Sequence, residues 1–391
     1  MNQFNFSNVQ SCVEYAQRKK YQILDYTTSI CEHCYTHVPA IRSIRFTDNS
    51  IQLIKSCKVH GCTEHMIERD SDFYHSLVCD KNSLNYDDVL LTEASDRCQL
   101  QCPHCYHKPD NEIQDEQANT IIDRVKPATE LGISTLQLAG AEASLRPDFI
   151  EMVRDLKGYF KKVDTMTNGV RFGDKKFFSK CLDNGLSDIN VGLNHPAYIN
   201  NSVIRQKQVD AINYANKNNC LGYIGYTMVS LNELHDILEE IVSSNWNPTT
   251  FRIRAGSEIG INATEKRYYV SDIYKEIKLW AKQQGHSIEH MSADDNIYHK
   301  MVTLNNKRIR IIQWCDITDI DLEELRSGPW NDFVPNDGMT NFLHQIIRRD
   351  VWKNRGILLT DVPPQRYQLN HYKKFKEIEL NHTIPNTLNL L

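Results

Sequence analysis

The stretch SDRCQLQCPHCYHKPDN, residues 95–111, contains three cysteines within eight positions. These residues are Cys98, Cys102 and Cys105. Disulfides pair cysteines in twos, and a closed zinc site takes four ligands, so neither chemistry uses three thiols alone. Three thiolates suit a metal cluster in which one metal ion stays open to another ligand.

The composition is that of a large globular protein from a reducing compartment. The chain has 391 residues, of which 40% are hydrophobic and 24% charged, with a formal net charge of −5. This acidic balance predicts no broad nucleic-acid-binding surface. There is no apolar run of about 18 residues and no signal-peptide pattern, so we expect a cytoplasmic protein without a membrane span. Because cytoplasmic thiols stay reduced, the twelve cysteines indicate metal binding or catalysis.

The pattern of strands and helices divides the chain into three regions. Residues 1–80 contain short, turn-rich stretches and a hairpin, residues 87–265 alternate strands with helices, and residues 266–391 have the weaker pattern of an α+β extension. The alternation predicts an α/β fold with parallel strands and right-handed crossovers. Six strands in a row allow an open doubly wound sheet or a partial β/α barrel, and in both the functional residues lie at the carboxyl ends of the strands.

The C-x3-C-x2-C spacing, on the loop after the first predicted strand, resembles the radical S-adenosylmethionine (radical SAM) superfamily. The resemblance implies a partial (β/α)6 TIM-like barrel and a 4Fe–4S cluster held by the three thiolates. In this family the fourth iron chelates S-adenosylmethionine, and one electron splits it into methionine and a 5′-deoxyadenosyl radical that abstracts a substrate hydrogen. An external electron donor such as flavodoxin or ferredoxin is also implied.

Further motifs of the family follow at the ends of the next predicted strands. In LAGAEASLRPD, Gly140 and Glu142 match the family's glycine–glycine–glutamate, whereas Ala141 stands in place of the second glycine and the usual proline after the glutamate is missing. TMTNGV matches the family's Thr-Asn-Gly with Thr167 and Asn168. By resemblance, these five residues would bind S-adenosylmethionine.

The later strand ends and the cysteine loop carry the other candidate cofactor-binding residues. Arg252 and Arg254 in FRIRAG are two residues apart and therefore point the same way, and one or both could bind a carboxylate of the cofactor or the substrate. Asn194 ends the fourth strand. His104 stands where the family has an aromatic residue that packs near the adenine, and Tyr106, two positions later, could take over that contact.

The N-terminal region contains a second metal-binding pattern. CEHC and CKVHGC place two knuckles about 22 residues apart, which is a strong signal for a four-ligand site. Cys31, Cys34 and Cys57 are predicted ligands, and the fourth is His60 or Cys62, of which the spacing favours His60 because C-x2-H mirrors C-x2-C. Zinc suits three sulfurs and one nitrogen, whereas a rubredoxin-like iron would prefer four sulfurs and therefore Cys62.

This N-terminal module resembles a subgroup of the superfamily that includes archaeal tetraether lipid synthase and methanogenic pterin methylases. The likeness rests on C-x2-C followed by VPA, a hairpin and K-x-C-x2-HG. It implies carbon–carbon bond formation or methylation on a small-molecule or lipid-like substrate. The N-terminal module, the C-terminal extension or both would cover the substrate.

Two other functions stay open from the sequence. The departures at Ala141, Ala143 and His104 also fit a metal-stabilised binding or scaffold protein whose cluster is catalytically silent. The other alternative is a radical enzyme that modifies RNA or a peptide, although the acidic balance argues mildly against RNA.

Overall fold

Two β-sheets organise the protein, one of four strands near the N-terminus and one of nine strands. Cys34, Tyr106 and most of the predicted extension lie outside the described residues. The computed structural model describes residues 9–33, 37–77, 89–102, 104–105, 109, 111–112, 114–131, 134–198, 201–255, 268–313 and 321.

The N-terminal sheet is an antiparallel meander whose strands lie in chain order. The hairpin predicted around TDNS is confirmed, and its turn places Asn49 at φ 56°, a left-handed conformation that asparagine tolerates. The elements are α1 (Gln10–Lys19), β1 (Gln22–Ile30), β2 (His37–Arg45), β3 (Ser50–Cys57), β4 (Gly61–Glu68) and α2 (Ser71–Ser76).

The nine-stranded sheet contains all six strands predicted from the alternating pattern. They pair in parallel and lie side by side in chain order, which is the order of a barrel and not of a doubly wound sheet. The elements are β5 (Val89–Ser95), α3 (Ala118–Val125), β6 (Thr135–Gly140), α4 (Phe149–Lys157), β7 (Lys162–Thr167), α5 (Lys175–Asp183), β8 (Ile189–Gly192), α6 (Ser202–Lys217), β9 (Leu221–Met228), α7 (Asn232–Ser243) and β10 (Thr250–Ala255).

Three more strands widen this sheet beyond β10. They follow α8 (Val270–Gln284) and are β11 (Ile288–Asn296), β12 (His299–Leu304) and β13 (Lys307–Ile312). The last strand pairs in parallel with β10, and the other two continue antiparallel. The sheet has β5 and β11 as its two edges, so the barrel is partial, as predicted.

The first helix of the barrel is shorter than its sequence pattern indicates. DEQANTIIDRVKPATELG, residues 115–132, has the pattern of one helix, but α3 ends at Val125 and a 3-10 helix covers Lys126–Leu131. Pro127 accounts for the change, because proline has no backbone N–H to donate to the preceding turn of an α-helix.

The main hydrophobic core lies between the strands of the barrel and the helices outside it. Leu136 and Leu138 of β6 pack in this core with Phe149 and Met152 of α4. Each such side chain contributes about 1.5–3 kcal/mol by leaving water. Because side chains alternate along a strand, the residue between these two leucines faces the inside of the barrel. Polar side chains on this inner face can meet at the carboxyl ends of the strands.

A buried carboxyl group joins the N-terminal sheet to α8. Glu68, the last residue of β4, accepts hydrogen bonds through Oε1 from the N–H groups of Arg69 (2.6 Å) and Asp70 (3.1 Å) and from the hydroxyl of Ser271. Burial raises the pKa of Glu68 to about 7. The folded protein therefore holds a proton here at pH values at which the unfolded chain would have lost it.

We expect Glu68→Gln to remove a pH dependence of stability. The pKa of the carboxyl is about 7 in the folded protein and near the ordinary 4.5 in the unfolded chain. The folded state binds more protons between these values, so the free energy of unfolding of the wild type falls as the pH rises from 5 to 8. The amide stays neutral and keeps an oxygen for the same donors.

The free energy of unfolding of Glu68→Gln, taken relative to that of the wild type, should be higher at pH 8 than at pH 5. The expected increase is on the order of 2 kcal/mol. Denaturant titration at the two pH values measures this difference. The exposed Glu151 on α4 provides a matched control, and Glu151→Gln should give equal differences at both pH values. An equal effect of Glu68→Gln at pH 5 and pH 8 would contradict the account.

Candidate active site

The carboxyl ends of the barrel strands surround a cavity of about 180 Å³. Its wall combines the cysteine loop after β5 with residues from β6 to β10 and from β13. This is where the alternating pattern predicts functional residues. The predicted site residues that line it are Cys98, Cys102, His104, Cys105, Gly140, Ala141, Thr167, Asn168, Asn194, Arg252 and Arg254.

Hydrogen bonds within the cysteine loop bring its three thiols to one cavity. The N–H of Cys98 donates to Oδ1 of Asn111 (3.0 Å), and the N–H of Cys105 donates to the carbonyl oxygen of Cys102 (3.1 Å). The arginine before Cys98 forms an ion pair with Asp115. The two ends of the loop are therefore held together, and the thiols face the same space.

The surroundings of the three thiols fit a metal cluster. Burial raises the pKa of Cys98 to about 12 and that of Cys102 to about 11. Thiolates in this cavity therefore need a positively charged partner. Three thiolates suit a 4Fe–4S cluster in which the fourth iron stays open to another ligand.

Glu142 ties the carboxyl ends of β6 and β7 together. Its Oε1 accepts hydrogen bonds from the hydroxyls of Ser144 (2.5 Å) and Thr167 (2.8 Å), and its Oε2 accepts one from the N–H of Asn168 (2.7 Å). Burial raises the pKa of this carboxyl, and the hydrogen bonds act in the opposite direction. Glu142 is not among the described residues that line the cavity. It positions Thr167 and Asn168, and its contact with an ammonium group stays a prediction.

Gly140 and Ala141 form the rim of the cavity next to β5. Gly140 has φ +115°, and a Cβ atom at this position would lie 2.3 Å from the carbonyl oxygen of Ser95. The N–H of Ala141 donates to the same oxygen (2.8 Å). Glycine is therefore needed at position 140 by the neighbouring strand, whereas the methyl group of Ala141 is accommodated.

Two asparagines direct their side-chain amides at cysteine sulfurs. Nδ2 of Asn168 donates to Sγ of Cys98 (3.5 Å), and Nδ2 of Asn194 donates to Sγ of Cys102 (3.4 Å). Such donors stabilise negative charge on sulfur and tune the potential of an iron–sulfur cluster. Gln99 donates from Nε2 to Oδ1 of Asn168 (3.1 Å) and so orients this amide. The sequence analysis missed Gln99, because no spacing distinguishes it within the loop.

The wall formed by β10 presents two arginines to the cavity, as their two-residue spacing predicts. Nε of Arg254 donates to Oγ1 of Thr227 on β9 (2.8 Å). The guanidinium carbon of Arg252 lies 3.5 Å from the centroid of the Tyr223 ring. This is a cation–π arrangement, which holds the guanidinium plane against the wall.

His104, in the cysteine loop, packs against the ring of Tyr198. The two rings are 5.4 Å apart between centroids and meet edge to face. Burial lowers the pKa of His104 to about 4, and the positive charge of Arg254 adds to this effect. The imidazole is therefore neutral at pH 7 and offers an uncharged ring at the position where an aromatic residue is expected.

The cavity wall also includes residues that the sequence analysis did not identify, among them Asn190 and Tyr223. Oδ1 of Asn190 accepts a hydrogen bond from the N–H of Tyr223 (3.0 Å), which couples β8 to β9. The alternation of side chains could have found Asn190, because it lies four residues before Asn194 on the same run of chain.

A second candidate metal site lies in the N-terminal sheet. Nδ1 of His60 is 3.4 Å from Sγ of Cys31 and 3.4 Å from Sγ of Cys57. Zinc bonds of about 2.3 Å to sulfur and about 2.0 Å to nitrogen place such ligand atoms about 3.5 Å apart across a tetrahedral angle. The three side chains therefore fit zinc without rearrangement.

His60 and Cys62 are the two candidates for the fourth ligand of this site, and the geometry favours His60. The thiol of Cys62 donates to the carbonyl oxygen of Ser11 (3.5 Å), and Cys62 is not part of the group of ligand atoms that lie within 4.8 Å of one another. Cys34, the remaining predicted ligand, lies outside the described residues. Cys31, Cys34, Cys57 and His60 would form a zinc-type set of three sulfurs and one nitrogen.

Two protein-family models match the chain. The model described as the radical SAM superfamily matches residues 92–242, and the model described as the HMPTM N-terminal zinc ribbon domain matches residues 23–69. The first range contains the cysteine loop and β6 to β9, and the second contains the candidate zinc site.

Curated relatives match over a shorter range. A GTP 3′,8-cyclase of Clostridium perfringens is 28% identical over 112 residues, which are 27% of this chain and 34% of that protein. A probable GTP 3′,8-cyclase of Methanococcus maripaludis is 31% identical over 100 residues, which are 25% of this chain and 33% of that protein. The chain thus spans about a third of the length of the curated relatives it matches.

Solved structures resemble the chain weakly. SuiB of Streptococcus suis bound to the precursor peptide SuiA has 14% identity and a TM-score of 0.43, over 61% of this chain and 51% of that one. TYW1 with a lysine–pyruvate adduct has 11% identity and a TM-score of 0.34, over 72% and 91%. Neither likeness carries an argument beyond the two family matches.

Each of the two family matches agrees with the side chains found at one of the two candidate metal sites. A radical SAM domain uses a 4Fe–4S cluster and S-adenosylmethionine, and the three thiols that line the cavity fit such a cluster. A zinc ribbon binds zinc, and Cys31, Cys57 and His60 have the spacing for it. The chain is therefore a member of the radical SAM superfamily that carries an N-terminal zinc ribbon.

Proposed function

We propose that this protein is a radical SAM enzyme whose reaction takes place in the cavity at the carboxyl ends of the barrel strands. Bound there, a 4Fe–4S cluster and S-adenosylmethionine would supply a 5′-deoxyadenosyl radical that abstracts hydrogen from an organic substrate. The observation that carries the proposal is the meeting of three thiols, a glycine-containing strand end and two arginines in one cavity.

The cysteine loop and its neighbours would hold the cluster. Cys98, Cys102 and Cys105 would each bind one iron, which leaves one iron for the cofactor. The amides of Asn168 and Asn194 would donate to the bound sulfurs, as they already do to the free thiols. These donors reach the cavity from β7 and β8, so the strands themselves set the surroundings of the cluster.

The opposite walls of the cavity would bind S-adenosylmethionine. The backbone of Gly140 and Ala141 and the hydroxyl of Thr167 offer polar groups on one side, and Arg254 offers a guanidinium for a carboxylate on the other. The neutral ring of His104 would pack against the adenine. The contacts on both sides would orient the cofactor and keep water away from a reactive carbon.

The N-terminal module supports a proposal for the type of reaction that the enzyme catalyses. Its match to the zinc ribbon model supports carbon–carbon bond formation or methylation, the chemistry implied by the resemblance of this module to its subgroup. The substrate would be a small molecule or a lipid-like molecule. The electron would come from an external donor such as flavodoxin or ferredoxin.

The cysteine pattern of the sequence bears on the location of the protein. Clusters of cysteines with metal-binding spacing are typical of a reducing compartment, which supports a location in the cytoplasm. No helix among the described residues is both long enough and apolar enough to cross a bilayer.

Replacing one cluster cysteine tests the proposed function. The wild type, loaded anaerobically with iron and sulfide and reduced with dithionite, should release 5′-deoxyadenosine from S-adenosylmethionine. Cys102→Ala should lower this release by at least about a thousandfold, because a cube bound at two corners no longer holds its place. Chromatography of the nucleoside products and an iron assay measure the two effects.

Cys220→Ala is the matched control for this experiment. Cys220 precedes β9 at the end of the barrel opposite the cavity, and its thiol donates to the carbonyl oxygen of Ala215 (3.6 Å). This variant should keep the iron content and the release of the wild type. Release that persists in Cys102→Ala would exclude the proposed role of the loop.

Zinc content tests the assignment of the N-terminal site. His60→Ala should reduce bound zinc from about one ion per chain to a small fraction, because a site with three ligands binds zinc at least about a hundredfold more weakly. Cys62→Ser should retain the metal. Elemental analysis after dialysis against a mild chelator measures both, and loss of zinc from Cys62→Ser alone would reverse the assignment.

A further inference from the structure

We propose that helix α6 positions the two amides that donate to the cluster sulfurs, and that it does so through Gln208 and Arg205. The inference rests on the proposed function and adds two positioning residues, which act on the cluster through Asn168 and Asn194. Gln208 and Arg205 are three positions apart in α6 and therefore lie on the same face of the helix. Neither is among the described residues that line the cavity.

Gln208 binds the backbone at the ends of β7 and β8. Its Nε2 donates to the carbonyl oxygens of Asn168 (2.8 Å) and Gly192 (3.2 Å). The N–H of Asn168 donates in turn to Oε2 of Glu142 (2.7 Å). The peptide groups on both sides of Asn168 are therefore held, which fixes the direction in which its side chain leaves the backbone.

The burial of Gln208 is unfavourable unless its donor group is needed. The residue is fully buried, and its Oε1 has no hydrogen-bond partner among the described residues. An apolar side chain of the same length would avoid this cost. Helix α6 also packs closely on the residues after β7, because a Cβ atom at Gly169 would lie only 3.4 Å from Cα of Gln208. This close packing brings Nε2 within reach of the two carbonyl groups.

Arg205 holds the chain after β8 in a similar way. Its Nη1 donates to the carbonyl oxygen of Asn194 (2.6 Å), and its Nη2 forms an ion pair with Glu240 of α7. The hydroxyl of Tyr226 on β9 donates to the other oxygen of this carboxylate (3.0 Å). The side chain of Asn201 caps α6 one turn before Arg205. The guanidinium is therefore fixed between two helices and the end of the strand.

The two anchored asparagines are the residues whose amides donate to the cysteine sulfurs. Asn168 donates to Cys98, and Asn194 donates to Cys102. An N–H donor at a cluster sulfur raises the reduction potential, because the reduced cluster carries one more negative charge. An amide whose backbone moves away loses this effect. Helix α6 therefore sets the potential at which an external donor can reduce the cluster.

A redox titration tests this inference without any turnover. The protein, carrying its zinc and its cluster but no S-adenosylmethionine, is titrated with dithionite, and electron paramagnetic resonance measures the reduced cluster. Gln208→Met keeps the length of the side chain and removes the donor. At a fixed potential the ratio of reduced to oxidised cluster should be at least about threefold lower than in the wild type, a shift of about 30 mV for a one-electron couple.

Double variants show whether the effect passes through the asparagines. Asn168→Ala should lower the ratio at least as much as Gln208→Met, and adding Gln208→Met to Asn168→Ala should lower it no further. Arg205→Lys keeps the charge but cannot bind Glu240 and the carbonyl of Asn194 together, so it should lower the ratio in the wild type and not in Asn194→Ala. This second pair carries the test if Gln208→Met does not bind iron.

The matched control is Gln206→Met. Gln206 is exposed on the same helix, where its Nε2 donates to Oδ1 of Asp210 (2.9 Å), so the same substitution should leave the potential of the cluster unchanged. An unchanged potential in both Gln208→Met and Arg205→Lys would overturn the inference. Equal shifts with and without the asparagine amides would do so too, because the helix would then act on the cluster by another route.

The two proposals fail separately. A protein that releases 5′-deoxyadenosine but whose cluster has the same potential in all variants would retain the proposed function and lose the inference about α6. A cluster whose potential depends on Gln208 through Asn168 but that never cleaves S-adenosylmethionine would overturn the proposed function alone. A protein that assembles no cluster would overturn both.

Discussion

The structure depends on one electrostatic constraint: two thiols of the cysteine loop lie where their thiolate forms are unstable without a cation. Burial raises the pKa of Cys98 and Cys102 well above the ordinary range of cysteine. A cluster of iron ions would supply the missing positive charge, and the amides of Asn168 and Asn194 add partial positive charge at the same sulfurs. The carboxyl ends of the parallel strands hold these groups in place.

The carboxylate of Glu142 connects this site to the fold. By accepting hydrogen bonds from Thr167 and from the backbone of Asn168, it fixes the end of β7 against the end of β6. Gly140 lets β6 approach β5 closely enough for the next N–H to bond to Ser95. The cavity therefore keeps its shape through contacts between neighbouring strands, and the N-terminal sheet is joined to α8 through the separate buried contact of Glu68.

The sequence predicts the fold because its strongest signals are local. Strand–helix alternation predicts parallel strands in an open doubly wound sheet or a partial barrel, and the resemblance to the radical SAM superfamily selects the partial barrel, which the strand order confirms. The two knuckles in the N-terminal region likewise identify the zinc site. The end of α3 differs from its pattern because Pro127 interrupts the helix. The predicted extension contributes β11 to β13 to the same sheet, which a weak pattern does not reveal.

Contacts between strands could not be predicted, because they depend on register. The bracing role of Glu142, the amide of Asn168 at a cysteine sulfur and the stacking of Arg252 on Tyr223 each join residues from different strands or loops. The spacing already favours His60 over Cys62 as the fourth zinc ligand, and the structure supports this choice because His60 is directed at Cys31, whereas the thiol of Cys62 donates to a backbone carbonyl.

The central claim is that the cluster has one iron without a protein ligand, which the cofactor occupies. Electron–nuclear double resonance on the reduced protein, with S-adenosylmethionine labelled with oxygen-17 in its carboxylate, tests this directly. The account predicts a hyperfine coupling to the label of the size expected for an oxygen bonded to iron. A cluster with four cysteine ligands, or one whose spectrum does not respond to the labelled cofactor, would contradict it.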